Sequence, residues 1–312
     1  HFDKGSALKS LARPVLLPLL AAMLSTSAGA AEVKGLPMQV HDLATPFVQV
    51  WERNVGKPDA AFVQDFKASI GSDFPAFYNV QRFKGMFTPD QYDGMIVKAR
   101  SELPAMRAAY EKKVARFTQD LPGHIASFPA TFPDYAAKTD ICFLHSLGEM
   151  DGGTRTVDGK VYFIFGADAM VKYHGDGNEA AFFHHELFHD YHNMNCAREP
   201  VWVGLWNEGL ATYVAKRMNP SASNSELLLD IPRNLVADTH KQLGRAFEDL
   251  HAKLESEEQV HYAGLFQGRG GDDTGLPARR GYYLGYLVAE EIGKGMSMQQ
   301  MAKLDCGGAR KA

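Results

Sequence analysis

Apolar residues recur at helical spacing over most of the chain and change to short strand-like runs only near its middle. From about His41 to Phe128 the pattern predicts helices. One starts at Thr88-Pro89-Asp90-Gln91, where Thr88 can cap, Pro89 suits the first turn and Gln91 can reach back to close a capping box. Met95, Ala99, Leu103, Met106 and Tyr110 follow at helical spacing and read as core, with Pro104 as a kink or break. The runs Ile141 to Leu147 and Val161 to Phe165 have strand character, and the glycine-rich segment Gly148 to Gly159 between them predicts a hairpin with a long loop.

Helices then resume. Phe182, Phe183, Leu187 and Phe188 form the packing face of one, capped by Asn178 or a near neighbour. Another ends near Asn219-Pro220, and long helical segments run from Glu226 to Leu254. Gly264 to Arg280, crowded with glycine and charge, reads as a mobile loop before a last helix that opens at Arg279-Arg280-Gly281-Tyr282. The predicted class is α+β, mostly helical, with a small sheet.

Composition narrows the picture. Lys4, Lys9 and Arg13 precede an apolar run from Val15 to Leu24 and the small residues Ala28-Gly29-Ala30, which is the order of a secretory signal peptide cleaved after Ala30. The competing reading is an uncleaved anchor, but the run is short for a span of about 20 residues and contains Pro18. No later segment is long and apolar enough to span a bilayer, so the expected location is periplasmic or secreted. With 45% apolar and 22% charged residues the chain has an ordinary globular balance, and its net charge of -4 with no basic stripe argues against a nucleic-acid partner. Of three cysteines, Cys142 lies in an apolar run and reads as core, while Cys196 and Cys306 sit in loop-like contexts and are the favoured disulfide pair, although connectivity does not follow from sequence.

The chemistry concentrates at His185-Glu186-Leu187-Phe188-His189. Positions i and i+4 lie one above the other on a helix, so two imidazoles can reach one metal ion. Glu186 is turned by about 100 degrees from His185, outside the ligand set and within reach of a metal-bound water, where it can act as a base. Eighteen residues past His189 come Asn207-Glu208-Gly209-Leu210-Ala211, and Glu208 offers an oxygen ligand from a second helix. Two His and one Glu leave the fourth zinc position open, as catalytic sites require.

At these residues the chain resembles the gluzincin metallopeptidases, the superfamily of thermolysin and the aminopeptidase-N-like enzymes. The closer likeness is to bacterial predicted zinc-dependent proteases that end in a helix like Gly281-Tyr282-Tyr283-Leu284-Gly285-Tyr286. The metzincin pattern fails, because it wants Gly at 192 and His at 195, where this chain has His192 and Asn195. The resemblance implies one zinc ion per chain on His185, His189 and Glu208, with Glu186 as catalytic base, and a gluzincin-like core whose small sheet has an antiparallel edge. It gives the strand Val161 to Phe165 the task of binding extended peptide, although that run can equally be paired inside a sheet. Tyr282 with Gly285 matches a Tyr-x-x-Gly pattern whose tyrosine would donate to the developing oxyanion.

Other positions carry weaker expectations. His184 points away from His185, to the surface or behind the ligands, and His192 either lines the cleft or is a partly buried histidine. Asn207 stands beside the ligand Glu208. Relatives often orient a zinc histidine with an Asp four residues after the ligand Glu; here that place holds Thr212, so support is expected from elsewhere. The amine-binding GxMEN motif of aminopeptidases is not seen. Its nearest stretch is Gly166 to Met170, where Asp168 reads as a helix cap, and the expectation leans to an endopeptidase.

The reading divides the chain into a signal peptide (1-30), a helical N-terminal region (31-138) and a zinc metallopeptidase region (139-312). Its function is hydrolysis of a peptide or protein substrate. The alternatives are a zinc hydrolase of a non-peptide amide and a scaffold protein with a degenerate zinc site. Intact His185, Glu186, His189 and Glu208 argue against the scaffold.

Overall fold

The computed structural model describes residues 31–32, 38–137, 139–192, 194–268 and 272–312. The segment read as a signal peptide lies outside them. Strand β1 (Ala31–Glu32) pairs antiparallel with β2 (Gln39–Asp42), which leads into helices α1 (Ala44–Arg53), α2 (Asp59–Ala68) and α3 (Ile70–Asp73). After a 3-10 turn at Val80–Phe83 comes α4 (Pro89–Thr131), a helix of 43 residues. Strands β3 (Ile141–Leu144), β4 (Gly152–Val157) and β5 (Lys160–Gly166) follow, and then helices only: α5 (Ala167–His174), α6 (Ala180–Tyr191), α7 (Val201–Met218), α8 (Leu235–His240), α9 (Leu243–Lys253), α10 (Gln259–Phe266), α11 (Arg280–Ile292), α12 (Met298–Ala302) and α13 (Cys306–Lys311). The protein is α+β and mostly helical, as the patterning indicates.

The start of α4 is the expected capping box: Thr88 accepts from the Gln91 N–H while the Gln91 side chain accepts from the Thr88 N–H. Pro104 does not end the helix, nor do Pro122 and Pro129. Each proline in a helix interior costs about 3 kcal/mol or more. A buried stripe along α4, with Ile96, Leu103, Tyr110, Phe117, Leu121, Ile125 and Phe128 all at 2% exposure or less, offsets that cost.

The sheet corrects the predicted hairpin. Its order is β1-β2-β3-β5-β4, and β3 and β5 are parallel neighbours with Cys142 opposite Ile164. The hairpin partner of β5 is β4, which lies inside the glycine-rich segment read as loop and turns through Asp158 (φ 50) and Gly159 (φ 76), the left-handed pair of a two-residue hairpin turn. At Gly152 helix α6 packs too close for a side chain: a Cβ there would lie 2.5 Å from the Phe182 ring. β5 is therefore central and buried, and β4 is the antiparallel edge. The helical reading from His41 also yields to strand, since β2 runs through Asp42 and pairs in parallel with β3, His41 opposite Cys142.

One apolar core joins both halves of the chain. Phe117 of α4 stands 4.5 Å from the Phe143 ring of β3 and 5.0 Å from Phe165 of β5, with Phe183 of α6 behind them. Cys142 is buried as a thiol, and Cys196 and Cys306 form the disulfide, tying α13 to the loop after α6. No helix among the described residues is long and apolar enough to cross a membrane.

Candidate metal centre

Helix α6 begins beside Asn178, whose side chain accepts from the Ala180 N–H, and buries Phe182, Phe183, Leu187 and Phe188 against the core. That burial turns His185, Glu186 and His189 toward α7. Glycine sets the depth of the next contact: a Cβ on Gly209 would fall 2.3 Å from the Gly285 backbone, and one on Gly285 would fall 2.5 Å from the Leu205 carbonyl. Helices α7 and α11 thus cross in backbone contact and bring Glu208 and Tyr282 to the same cleft.

Three donor atoms converge there. His185 Nε2 lies 3.2 Å from Glu208 Oε2, His189 Nε2 lies 3.4 Å from the same oxygen, and the two Nε2 atoms are 3.1 Å apart. Ligands at about 2.0–2.1 Å in tetrahedral array around zinc are about 3.3 Å from one another. The triangle therefore fits one ion of that size. It also fits poorly as a set of hydrogen bonds, because only one proton can sit between two facing ring nitrogens. The chain holds a cluster of two His and one Glu able to bind a metal ion.

The outer contacts sort the neighbouring residues. Thr212 stands where relatives carry an orienting Asp, yet its hydroxyl lies 3.5 Å from His185 Nδ1 while donating to the Glu208 carbonyl at 2.8 Å. An oxygen lone pair facing Nδ1 favours the tautomer that leaves Nε2 unprotonated toward the cluster. His184 is not at the surface. It is 4% exposed, its Nδ1 accepts from Asn219 at 2.9 Å, and its Nε2 contacts Ser127 Oγ at 2.7 Å and the His124 carbonyl at 3.2 Å. Burial holds its pKa down to about 4, so it is a neutral peg between α4 and α7. His192 is buried at the end of α6 and stacked on Phe188 at 5.1 Å, away from the cleft. Asp168 does not cap α5. Its carboxylate accepts from the N–H groups of Ser146 (2.6 Å) and Gly148 (2.8 Å), fixing the loop that leads to β4.

The cleft over the cluster has a volume of about 350 Å³, with β4 forming one wall and the first turn of α11 another. Glu186 opens onto it. Burial raises the Glu186 pKa, partly countered by the two imidazoles. A Cβ on Gly153 would lie 3.5 Å from Glu186 Oε2, so the backbone of the edge strand passes directly over this carboxylate. In the absence of a metal ion, burial opposes charge on His189 but the Glu208 carboxylate prevails and lifts its pKa to about 9, while the same pairing holds Glu208 far below the usual range. The Tyr282 ring stands 6.4 Å from the His185 ring, and burial pushes its phenol well above its ordinary pKa.

No family model, no curated protein and no solved structure matches the chain.

Three cleft residues are not picked out by spacing. Asp151 ends a buried chain of charges in which the Lys113 ammonium meets Glu179, Glu179 meets His174 Nδ1 at 2.8 Å, and His174 Nε2 meets Asp151 at 3.0 Å. Burial works against a charged His174, but the two carboxylates outweigh it and its pKa is raised. Arg155 and Arg279 line the cleft from β4 and from the start of α11. No periodic signal marks any of the three, since each is placed by contacts between elements distant in sequence. The segment read as a mobile loop is partly pinned as well: Arg280 is fully buried, held by Asp249 at 2.6 Å and Asp272 at 2.5 Å.

Proposed function

We propose that this protein is a zinc-dependent peptidase of the gluzincin type, exported from the cytoplasm, that cleaves peptide bonds within a polypeptide. One observation carries the reading: three metal-ligating atoms at mutual distances of 3.1 to 3.4 Å share a cleft with a half-buried carboxylate outside the ligand set and with the edge of a sheet. Bound on His185, His189 and Glu208, zinc would supply a Lewis acid for the scissile carbonyl and a lowered pKa for water.

The chain's own groups do the rest. Glu186, desolvated beside the backbone of Gly153, takes the proton that the attacking water loses and returns it to the leaving amine. The Tyr282 hydroxyl, with no hydrogen-bond partner among the described residues, donates to the carbonyl oxygen as negative charge develops. The edge of β4, from Gly152 to Arg155, offers its N–H and C=O groups to an extended main chain. That edge favours a polypeptide over a small non-peptide amide, which would have no use for it.

The test is Glu186→Gln. Zinc content and thermal midpoint should match wild type, and the rate on an unfolded protein substrate should fall by about 100-fold to 10,000-fold. A variant that cleaves as fast as wild type would overturn the proposed mechanism.

A further inference from the structure

Arg279 and Arg280 are consecutive, yet they face opposite surroundings. Arg280 is buried between Asp249 and Asp272. Arg279 lines the metal cleft. The backbone at Arg279 is left-handed, φ 60 and ψ 12, a conformation unfavourable for a residue with a Cβ, and it caps α11 without a side-chain hydrogen bond to the helix. That turn separates the two side chains.

The Arg279 guanidinium is held in place and, among the described residues, is not neutralised by a carboxylate. Its carbon lies 4.5 Å from the centroid of the Tyr282 ring, and its one hydrogen bond among the described residues runs from Nη1 to the Ile231 carbonyl at 3.4 Å. Stacking on the ring restricts its rotamers, so little freedom is lost when a partner binds. Across the cleft, the carboxylate nearest to Arg155 is Glu149 at 3.7 Å, and Glu149 is already gripped by Arg82 at 3.0 and 2.5 Å. Two guanidinium groups thus face a cleft in which Glu208 is committed to the imidazoles and Asp151 to His174, while Glu186, the third carboxylate of the lining, forms no ion pair with either arginine. A planar fork of N–H donors matches a carboxylate in bidentate geometry, which a neutral amide cannot reproduce.

We propose that Arg279 is a specificity-determining residue, whose guanidinium takes a carboxylate of the substrate beside the metal centre. The inference rests on the peptidase reading for its biological meaning. The carboxylate belongs either to an acidic side chain or to a C-terminus.

The experiment measures binding rather than turnover, so that the two readings fail separately. Zinc-loaded protein carrying Glu186→Gln is titrated calorimetrically with N-acetylglutamate amide, which has only a side-chain carboxylate, with N-acetylalanine, which has only a terminal one, and with N-acetylglutamine amide, which has neither. One carboxylate probe should bind at least about 10-fold more tightly than the uncharged probe, the scale of a charge-assisted hydrogen bond. The favoured probe identifies the source. Adding Arg279→Asn, which tolerates the left-handed backbone, should abolish the preference while zinc content stays unchanged. Arg279→Gly serves the same purpose should the Asn protein not fold, and Arg279→Lys should keep only part of the preference.

Equal binding of all three probes overturns the proposal. So does a preference that survives Arg279→Asn, since the carboxylate would then be held by the metal or by Arg155. If zinc-loaded wild type cleaves no polypeptide but the Arg279-dependent preference is present, the peptidase reading fails and the carboxylate site stands.

Discussion

Arg280 and His185 each lie among acidic side chains, but the balance of charge around them differs. Around Arg280 the chain supplies both signs. Asp249 and Asp272 face Arg280 and Lys253 at 2.5 to 3.3 Å, and the Gly264 and Pro277 carbonyls accept from Arg280 at 3.1 and 3.2 Å. Although burial works against it, this pairing holds the Asp272 carboxyl well below the usual range. Around His185 three electron-pair donors converge and no Lys or Arg enters the triangle among the described residues. The first cluster is complete as the chain makes it. The second offers three ligand atoms to a cation from outside, which distinguishes an ion-pair hub from a cluster able to bind a metal ion.

The contrast can be broken at its hub. Arg280→Met should leave two partly buried carboxylates to Lys253 alone and cost about 3 kcal/mol. The loss should be equal with and without chelator, as read from denaturant midpoints. A chelator-dependent loss would mean that the hub and the metal centre are not separate. The matching change at the other cluster is Glu208→Ala. Zinc affinity should fall by more than the about 10–100-fold expected from losing an outer partner, and the rise in midpoint that zinc confers should shrink with it. Metal content after dialysis and midpoints with and without chelator test both halves, and full zinc retention would remove Glu208 from the ligand set.

The smallest expected effect sharpens the comparison by pH. His174 lies between Asp151 and Glu179 and its folded pKa is raised, so its contribution is present in full below the unfolded value of about 6.5 and is lost as pH rises through the folded value. In chelated protein, His174→Gln should therefore cost about 2 kcal/mol near pH 6, and less at alkaline pH. A deficit independent of pH would show that His174 acts by packing on Phe182 rather than by charge.

Much of the candidate site is legible in the sequence because its parts follow local rules. The i, i+4 spacing of His185 and His189 is a property of one helix, and the Thr88 to Gln91 capping box is another short-range motif. Loop-like context favours pairing Cys196 with Cys306, but only the packing of α13 beside the loop after α6 brings the two sulfurs together. Other readings fail where distant segments decide. Gly152 looks like loop because Phe182 of α6 leaves no room for a side chain there, and Gly153 because its backbone takes φ 132, which residues with a side chain rarely adopt. Pro104 looks like a break because the buried stripe that carries the helix past it extends 24 residues further, to Phe128. The surroundings of His184 and Thr212 escape a local reading because their partners, Ser127, Asn219 and His185, come from other elements.

The sequence by itself determined which residues can donate to a metal ion, that the first two share a helix face, and that helices dominate the fold. Only the tertiary structure decided that β4 is the edge over Glu186, that Glu208 meets the histidines through the crossing at Gly209 and Gly285, and that Arg279 faces the cleft while Arg280 is buried. Periodicity reports the face of one element, whereas these placements depend on how closely two elements approach, which no local pattern encodes.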